Sequence, residues 1–154
     1  MPEPPGNAVE VLSGTVGDEL RWVVVVAGDD QDLSTMLHVY RGDRRVAGSG
    51  FGGPKLYRDS LVSEWRGKTD DLPYFVMARM SPIVDRVIAT TDHGSEITLA
   101  LSPPIARFGL RFAAAALPEG EQPGSLRVER AGIVLEARPQ PGPWPGPPAG
   151  RPGD

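Results

Sequence analysis

The strongest constraint on the fold is a period-two alternation of apolar and polar residues, which recurs in short runs along almost the whole chain. Side chains of a β-strand point alternately to its two faces, so the pattern predicts strands, and helical periodicity hardly occurs. In the clearest run, residues 19–28, four apolar residues share one face and two valines share the other: Leu20, Trp22, Val24 and Val26 against Val23 and Val25. This strand is therefore expected to be central in its sheet.

Turn signals separate these runs at intervals of about ten residues. Gly42-Asp43, Gly94 and Ala131-Gly132 each predict a tight turn between two strands. The last hairpin is expected to direct four apolar side chains inward, namely Leu126, Val128, Ile133 and Leu135. About nine strands result, so the sequence predicts an all-β fold, an antiparallel β-sandwich that is immunoglobulin-like in the broad sense.

One segment fits two interpretations. In residues 55–65, Tyr57, Leu61 and Trp65 fall at helical spacing, which is compatible with a short helix. The β-prone residues 60–65 and the polar loop after them fit a strand that enters a turn slightly better.

The two ends of the chain have the composition of disordered segments. Residues 139–154 contain seven prolines and four glycines, and residues 1–7 are similar in character. Such segments bury too little apolar surface to offset the entropy of ordering. We therefore expect one β-sandwich domain over residues 8–138, with disordered segments 1–7 and 139–154.

The stretch GSGFGGP, residues 48–54, matches the glycine spacing of a dinucleotide-binding loop through Gly48, Gly50 and Gly53. That motif works between a parallel strand and a helix, with an acidic residue about twenty positions later at the end of a strand. Here the preceding strand belongs to a predicted hairpin, and Pro54 follows the last glycine. The glycines are better explained by a bend at a sheet edge, and no cofactor is expected.

Composition excludes several function classes. The net charge of −4 and the pI near 5.2 favour neither nucleic acid nor an anionic membrane as partner. The chain has no cysteine, which excludes disulfides and thiolate chemistry. No signal peptide is recognisable, and the longest apolar run, residues 22–27, is too short to cross a bilayer, so a soluble cytoplasmic protein is expected.

Two predicted loops are rich in aspartate and could supply oxygen ligands to a hard cation such as Ca²⁺. Their order does not match an EF-hand loop, and acidic turns are also common as solvated caps. The candidate ligands lie in residues 28–34 and 68–73, and they are Asp29, Asp30, Asp32, Asp70 and Asp71.

Catalytic chemistry has little support in the sequence. The two histidines are His38, which lies mid-strand, and His93, which lies in a turn. No nucleophile elbow or zinc-binding helix motif accompanies them, so the interpretation leans against an enzyme.

A local excess of positive charge could form a surface for an acidic protein partner. Residues 41–68 carry seven basic and three acidic side chains. Positive charges on an edge strand also oppose aggregation, and a solvated edge is the favoured explanation. The proline-rich segment could itself dock as a polyproline ligand in an aromatic groove of a partner, with Trp144 as its anchor. The candidate partner-binding residues are therefore Arg41, Arg44, Arg45, Arg58 and Trp144.

Residues 74–118 show a pattern of strand and turn residues that resembles small, uncharacterised β-sandwich proteins of actinobacteria. The matching positions are Tyr74-Phe75-Val76, Ala78-Arg79-Met80, Val84, Arg86-Val87, Asp92, Gly94, Leu99, Gly109, Arg111-Phe112 and Ala116-Leu117-Pro118. The resemblance implies the architecture and no activity.

Together these features favour a non-enzymatic binding or protein-interaction module. The alternative is an enzyme, or a metal-binding or small-ligand-binding protein, with its site in the acidic loops 28–34 and 68–73.

Overall fold

The computed structural model describes residues 8–139, and these residues form an all-β, antiparallel fold. The segments 1–7 and 140–154, including Trp144, lie outside the described residues. The twelve strands are β1 (Val9–Val16), β2 (Leu20–Gly28), β3 (Leu33–Arg41), β4 (Arg44–Phe51), β5 (Val62–Gly67), β6 (Phe75–Met80), β7 (Arg86–Thr91), β8 (Glu96–Thr98), β9 (Ala100–Leu101), β10 (Arg111–Ala116), β11 (Pro123–Arg130) and β12 (Ile133–Pro139).

The strands form three four-stranded sheets. The first sheet has the order β1-β2-β3-β4, the second β5-β6-β10-β9, and the third β12-β11-β7-β8. Consecutive hairpins build the whole first sheet. Each of the other two sheets also contains neighbouring strands that are distant in sequence, such as β6 and β10 in the second sheet. The predicted antiparallel all-β fold is thus confirmed, with twelve strands where about nine were expected.

The second sheet lies between the other two, because each of its faces contributes to a different hydrophobic core. On β6, Phe75 and Met77 belong to the core shared with the first sheet, whereas Val76 and Ala78 belong to the core shared with the third. The alternation continues on β10, where Phe112 joins the first of these cores. Burial on both faces explains why every residue of β6 is buried.

Several local predictions can now be compared with the structure. The helical alternative for residues 55–65 is wrong, since β5 begins at Val62 and no helix precedes it in that segment. After the predicted turn at Gly94 the chain forms two short strands, β8 and β9, which are separated by Leu99 and belong to different sheets. Ile133 does not face the core: a register shift on β11 next to Val128 changes the pairing, and Ile133 is 66% exposed.

The direction of the strands divides the loops between two ends of the fold. The β1–β2 and β3–β4 turns lie at one end, together with residues 68–74 and 117–122; we call this the groove end. The β2–β3 turn and residues 52–61 lie at the other end, because each strand of a hairpin reverses the direction of the one before. Strand β3, with nine residues, separates the two ends by about 25 Å.

The glycine-rich stretch ends β4 at the edge of the first sheet, as the bend interpretation predicted. Gly48 and Gly50 lie in the strand, Gly53 has a φ of +87°, and no helix follows. Gly50 is required sterically, because a Cβ at this position would overlap the carbonyl oxygen of Thr35 on β3.

The carbonyl groups after these glycines surround the guanidinium of Arg79, which is fully buried on β6. Arg79 donates to five backbone carbonyl oxygens and one hydroxyl, and it stacks 4.3 Å from the ring centroid of Phe51. The loop therefore presents carbonyl oxygens to a cation, whereas a dinucleotide-binding loop presents N–H groups to a phosphate. Burial lowers the pKa of Arg79 to about 10, so it is charged at neutral pH.

Candidate binding groove

The tip of the β3–β4 hairpin forms one wall of a recess of about 350 Å³ at the groove end. Arg41, Arg44 and Arg45 line this wall, and Asp70 and Asp71 line the wall opposite. We call it the hairpin recess. Two groups of residues that the sequence singled out separately, the basic hairpin and one acidic loop, therefore share one concave surface.

The arginines differ in how strongly they are held. Arg41 and Arg44 face each other directly across the two-residue turn, and neither side chain forms a hydrogen bond or an ion pair with any described residue. The Nη1 atom of Arg45 lies 3.4 Å from both ring nitrogens of His38. Burial, and then the charge of Arg45, lowers the pKa of His38, so the ring is neutral at pH 7.

A larger recess of about 760 Å³ continues from the hairpin recess, and we call it the central recess. It shares Arg41, Asp71 and Leu72 with the hairpin recess. Leu20 and Leu117 contribute apolar surface to it. The four carboxylates that line it outnumber its two basic side chains: Glu19, Asp71, Glu119 and Glu121 against Arg41 and Lys68. The charge of the lining thus changes from positive at the hairpin to negative at residues 117–122.

Hydrogen bonds to neighbouring turns fix the loop that forms the acidic wall. The hydroxyl of Thr91 donates to Glu121 at 2.6 Å, and the backbone N–H of Gln122 donates to the Asp92 carboxylate at 2.9 Å. The first bond lowers the pKa of Glu121, and the second, with a smaller contribution from His93, lowers that of Asp92. Both carboxylates are therefore ionised at neutral pH, and the acidic wall keeps its charge.

A third recess, of about 420 Å³, opens beside the end of β10, and we call it the side recess. Its lining is mostly apolar and includes Trp22, Ala114 and Ala116. Strand β10 pairs with β9 only at Ala113 and Ala114, so its last two residues have a strand partner on β6 but none on the β9 side. A short sheet edge therefore borders the side recess.

The three recesses form one continuous surface. The side recess shares Val16, Leu117 and Pro118 with the central recess, which in turn adjoins the hairpin recess. We call the three together the end groove. It leads from a basic hairpin, past an acidic wall, to an apolar recess beside a sheet edge.

The other predicted acidic loop lies at the opposite end of β3, and its carboxylates bind parts of the protein itself. Asp29 accepts the backbone N–H groups of Gln31 and Asp32 at 3.0 and 3.1 Å. Asp32 accepts the N–H of Gly53 at 3.3 Å, and Asp30 pairs with Lys55 at 3.5 Å. The structure thus does not bring Asp29, Asp30 and Asp32 together with Asp70 and Asp71.

Within residues 8–139, no three side chains of the metal-ligating types converge in an arrangement that could hold a metal ion. Asp70 and Asp71 are exposed on the wall of the hairpin recess. Lys68 contacts this loop by donating to the carbonyl oxygen of Asp70 at 2.6 Å, which leaves the Asp70 carboxylate outside that bond.

Two further predicted residues lie away from the groove. Arg58 is exposed in the β4–β5 connection at the opposite end of the fold, and Trp144 lies outside the described residues. Sequence reasoning missed the apolar part of the groove, whose lining comes from three sheets. The short side chains of Ala113–Ala116 were its one visible signal.

No helix that could span a membrane is found within residues 8–139. Comparison with protein-family models, with curated proteins and with solved structures finds no match to this chain. The resemblance over residues 74–118 therefore stays a prediction.

Proposed function

We propose that the protein is a non-enzymatic interaction module, which binds an extended segment of a partner protein in the end groove. The observation that carries this proposal is the continuity of the groove, since Arg41, Asp71 and Leu72 join its first two recesses and Val16, Leu117 and Pro118 join the last two. A continuous groove with changing chemistry suits a polypeptide, which presents a new side chain every few ångströms.

The free sheet edge supports an extended partner. The backbone of Ala115 and Ala116 borders the side recess without a strand partner on that side. An extended segment can pair with such an edge through main-chain hydrogen bonds, while pockets beside it select the side chains. The exposed Ala100 lies next to this edge and also lines the side recess.

The alternative function, an enzyme or a metal-binding or small-ligand-binding protein, has weaker support. It places one site in the loops 28–34 and 68–73, which lie at opposite ends of β3. No histidine or cysteine is present among the residues that line the end groove. Of the two loops, only residues 68–73 border the end groove, so the two loops do not form one site for a small ligand.

Two matched variants test the proposal. Ala100→Arg places a long charged side chain in the side recess, and Ala137→Arg makes the same change at an exposed alanine of β12, away from the groove. Immobilised wild-type protein and Ala137→Arg should retain the same protein from native lysate, and Ala100→Arg should not. The purified pair should then form a complex by calorimetry that Ala100→Arg weakens. Equal binding by all three proteins would contradict the proposal.

A further inference from the structure

The chemistry of the partner can be inferred from the hairpin recess, and this inference rests on the proposed function. We propose that the hairpin recess binds a carboxylate side chain of an acidic partner segment, held between Arg41 and Arg44. The partner would thus place an aspartate or glutamate at the hairpin, while its more apolar residues extend toward the side recess.

The two arginines at the tip of the hairpin lie directly opposite each other. Like charges that face each other directly across a hairpin are destabilising. Arg41 and Arg44 are such a pair, and within residues 8–139 no carboxylate forms an ion pair with either. Each guanidinium has five N–H donors in a planar fork, which matches the two oxygens of a carboxylate. A bound carboxylate would satisfy these donors and remove the repulsion.

The charge of the hairpin recess favours a ligand with a single negative charge. Three arginines and two aspartates line the hairpin recess, which leaves one excess positive charge: Arg41, Arg44 and Arg45 against Asp70 and Asp71. One carboxylate neutralises that excess, whereas a phosphate group, with nearly two negative charges, exceeds it. Arg45 already contacts the His38 ring through its Nη1 atom, whereas Arg41 and Arg44 have no hydrogen-bond partner within residues 8–139 and are the available donors.

The charge of the lining changes along the groove. Beyond Arg41 the lining becomes acidic through Glu19, Glu119 and Glu121. An acidic segment that lay along the central recess would meet repulsion there. Only the end of the partner segment at the hairpin can therefore be acidic, and the groove specifies which way the segment runs.

The test uses a defined probe with a single carboxylate, the peptide acetyl-Glu-Ala-Ala-amide, added to the ¹⁵N-labelled protein and followed by NMR. We expect saturable amide shifts in residues 41–45 and 69–72. Arg41→Ala and Arg44→Ala, both at exposed positions, should each weaken binding by about tenfold, because each removes a charged hydrogen bond. The matched control Arg58→Ala, an exposed arginine at the opposite end, should bind the peptide like the wild type.

Three results would overturn the inference. They are the absence of saturable shifts in the hairpin, an equal loss of binding in Arg58→Ala, and tighter binding of inorganic phosphate than of the peptide at the same amides. Any of these results together with a partner whose binding depends on Ala100 would leave the proposed function intact. If the peptide binds at the hairpin but no partner protein depends on Ala100 for its binding, the proposed function is contradicted and the inference about the hairpin recess stands.

Discussion

Arg79 on β6 donates a 2.6 Å hydrogen bond to the carbonyl oxygen of Leu33 on β3, and this bond connects the middle sheet to the first sheet. The same guanidinium also donates to Gly52 and Pro54 at 2.9 and 2.7 Å. A single buried cation thus fixes the start of β3 and the loop after β4 with respect to the middle sheet. No carboxylate takes part in these bonds, so backbone carbonyl groups, the Thr35 hydroxyl and the Phe51 ring solvate the charge.

Arg79→Met is expected to lower the free energy of unfolding by about 3–5 kcal/mol, since it leaves buried carbonyl groups without their donors. Arg86→Met is the matched control, because Arg86 is half exposed and its one ion pair, with Glu129, is 3.9 Å long. This control should lose less than about 1 kcal/mol. Urea denaturation measures both values. Similar losses in the two variants would show that the buried hydrogen bonds of Arg79 contribute little.

Gly50→Ala should destabilise the protein by about 2 kcal/mol or more, because the new Cβ would overlap the backbone of Thr35 and force β3 and β4 apart. Gly52→Ala is the control from the same stretch. There the Cβ would lie 3.3 Å from a side-chain oxygen of Asp32, which can move. Thermal unfolding should therefore separate the two variants. If both melt at the same temperature, the close approach at Gly50 does not constrain the strand pair.

The Glu136 carboxylate on β12 predicts a pH dependence of stability. Burial would raise its pKa, but the N–H of Leu61 at 2.8 Å, together with Arg138 and the Ser60 hydroxyl, outweighs burial and lowers it. The folded state therefore holds the ionised form more strongly than the unfolded chain, in which a glutamate titrates at about pH 4.3. The stabilisation that ionised Glu136 gives to the folded state is fully present above the pKa of the unfolded chain. It is lost as the pH falls through the lower pKa that Glu136 has in the folded state.

Glu136→Gln should consequently be less stable than the wild type at pH 7, by about 1–2 kcal/mol, because a charged hydrogen-bond acceptor is lost. The difference should shrink as the pH falls from about 5 to about 3, because the wild type is then losing the same contribution. Chemical denaturation at several pH values measures it. A difference that stays constant over that range would contradict the assigned pKa shift.

Much of the fold could be read from the sequence because its hairpins are local. The turn at Ala131-Gly132 has both φ angles positive, at +51° and +80°, as a tight two-residue hairpin requires. The third layer was harder to foresee, since it depends on β7 pairing with the distant β11. Residues 74–80 did indicate a third layer, because a strand with apolar side chains on both faces must pack against another layer on each side.

The candidate site was predictable only in parts. The arginine-rich hairpin and Asp70-Asp71 were recognised separately, and their meeting depends on which strand ends lie at the same end of the fold. The two acidic loops were grouped by composition, yet nine residues of β3 separate them. Arg79 gave no sign of its role, because its hydrogen-bond acceptors come from two other regions of the chain, residues 33–35 and 52–55.

The most direct test of the end groove is hydrogen–deuterium exchange, measured on the complex with the partner protein whose binding the Ala100→Arg variant abolishes. Binding should slow exchange in residues 41–45, 69–74 and 114–118, and it should leave the opposite end, including residues 29–32 and 52–61, unchanged. Slower exchange confined to that opposite end, or to the outer face of the first or third sheet, would show that the partner binds elsewhere and that the end groove is not the binding site.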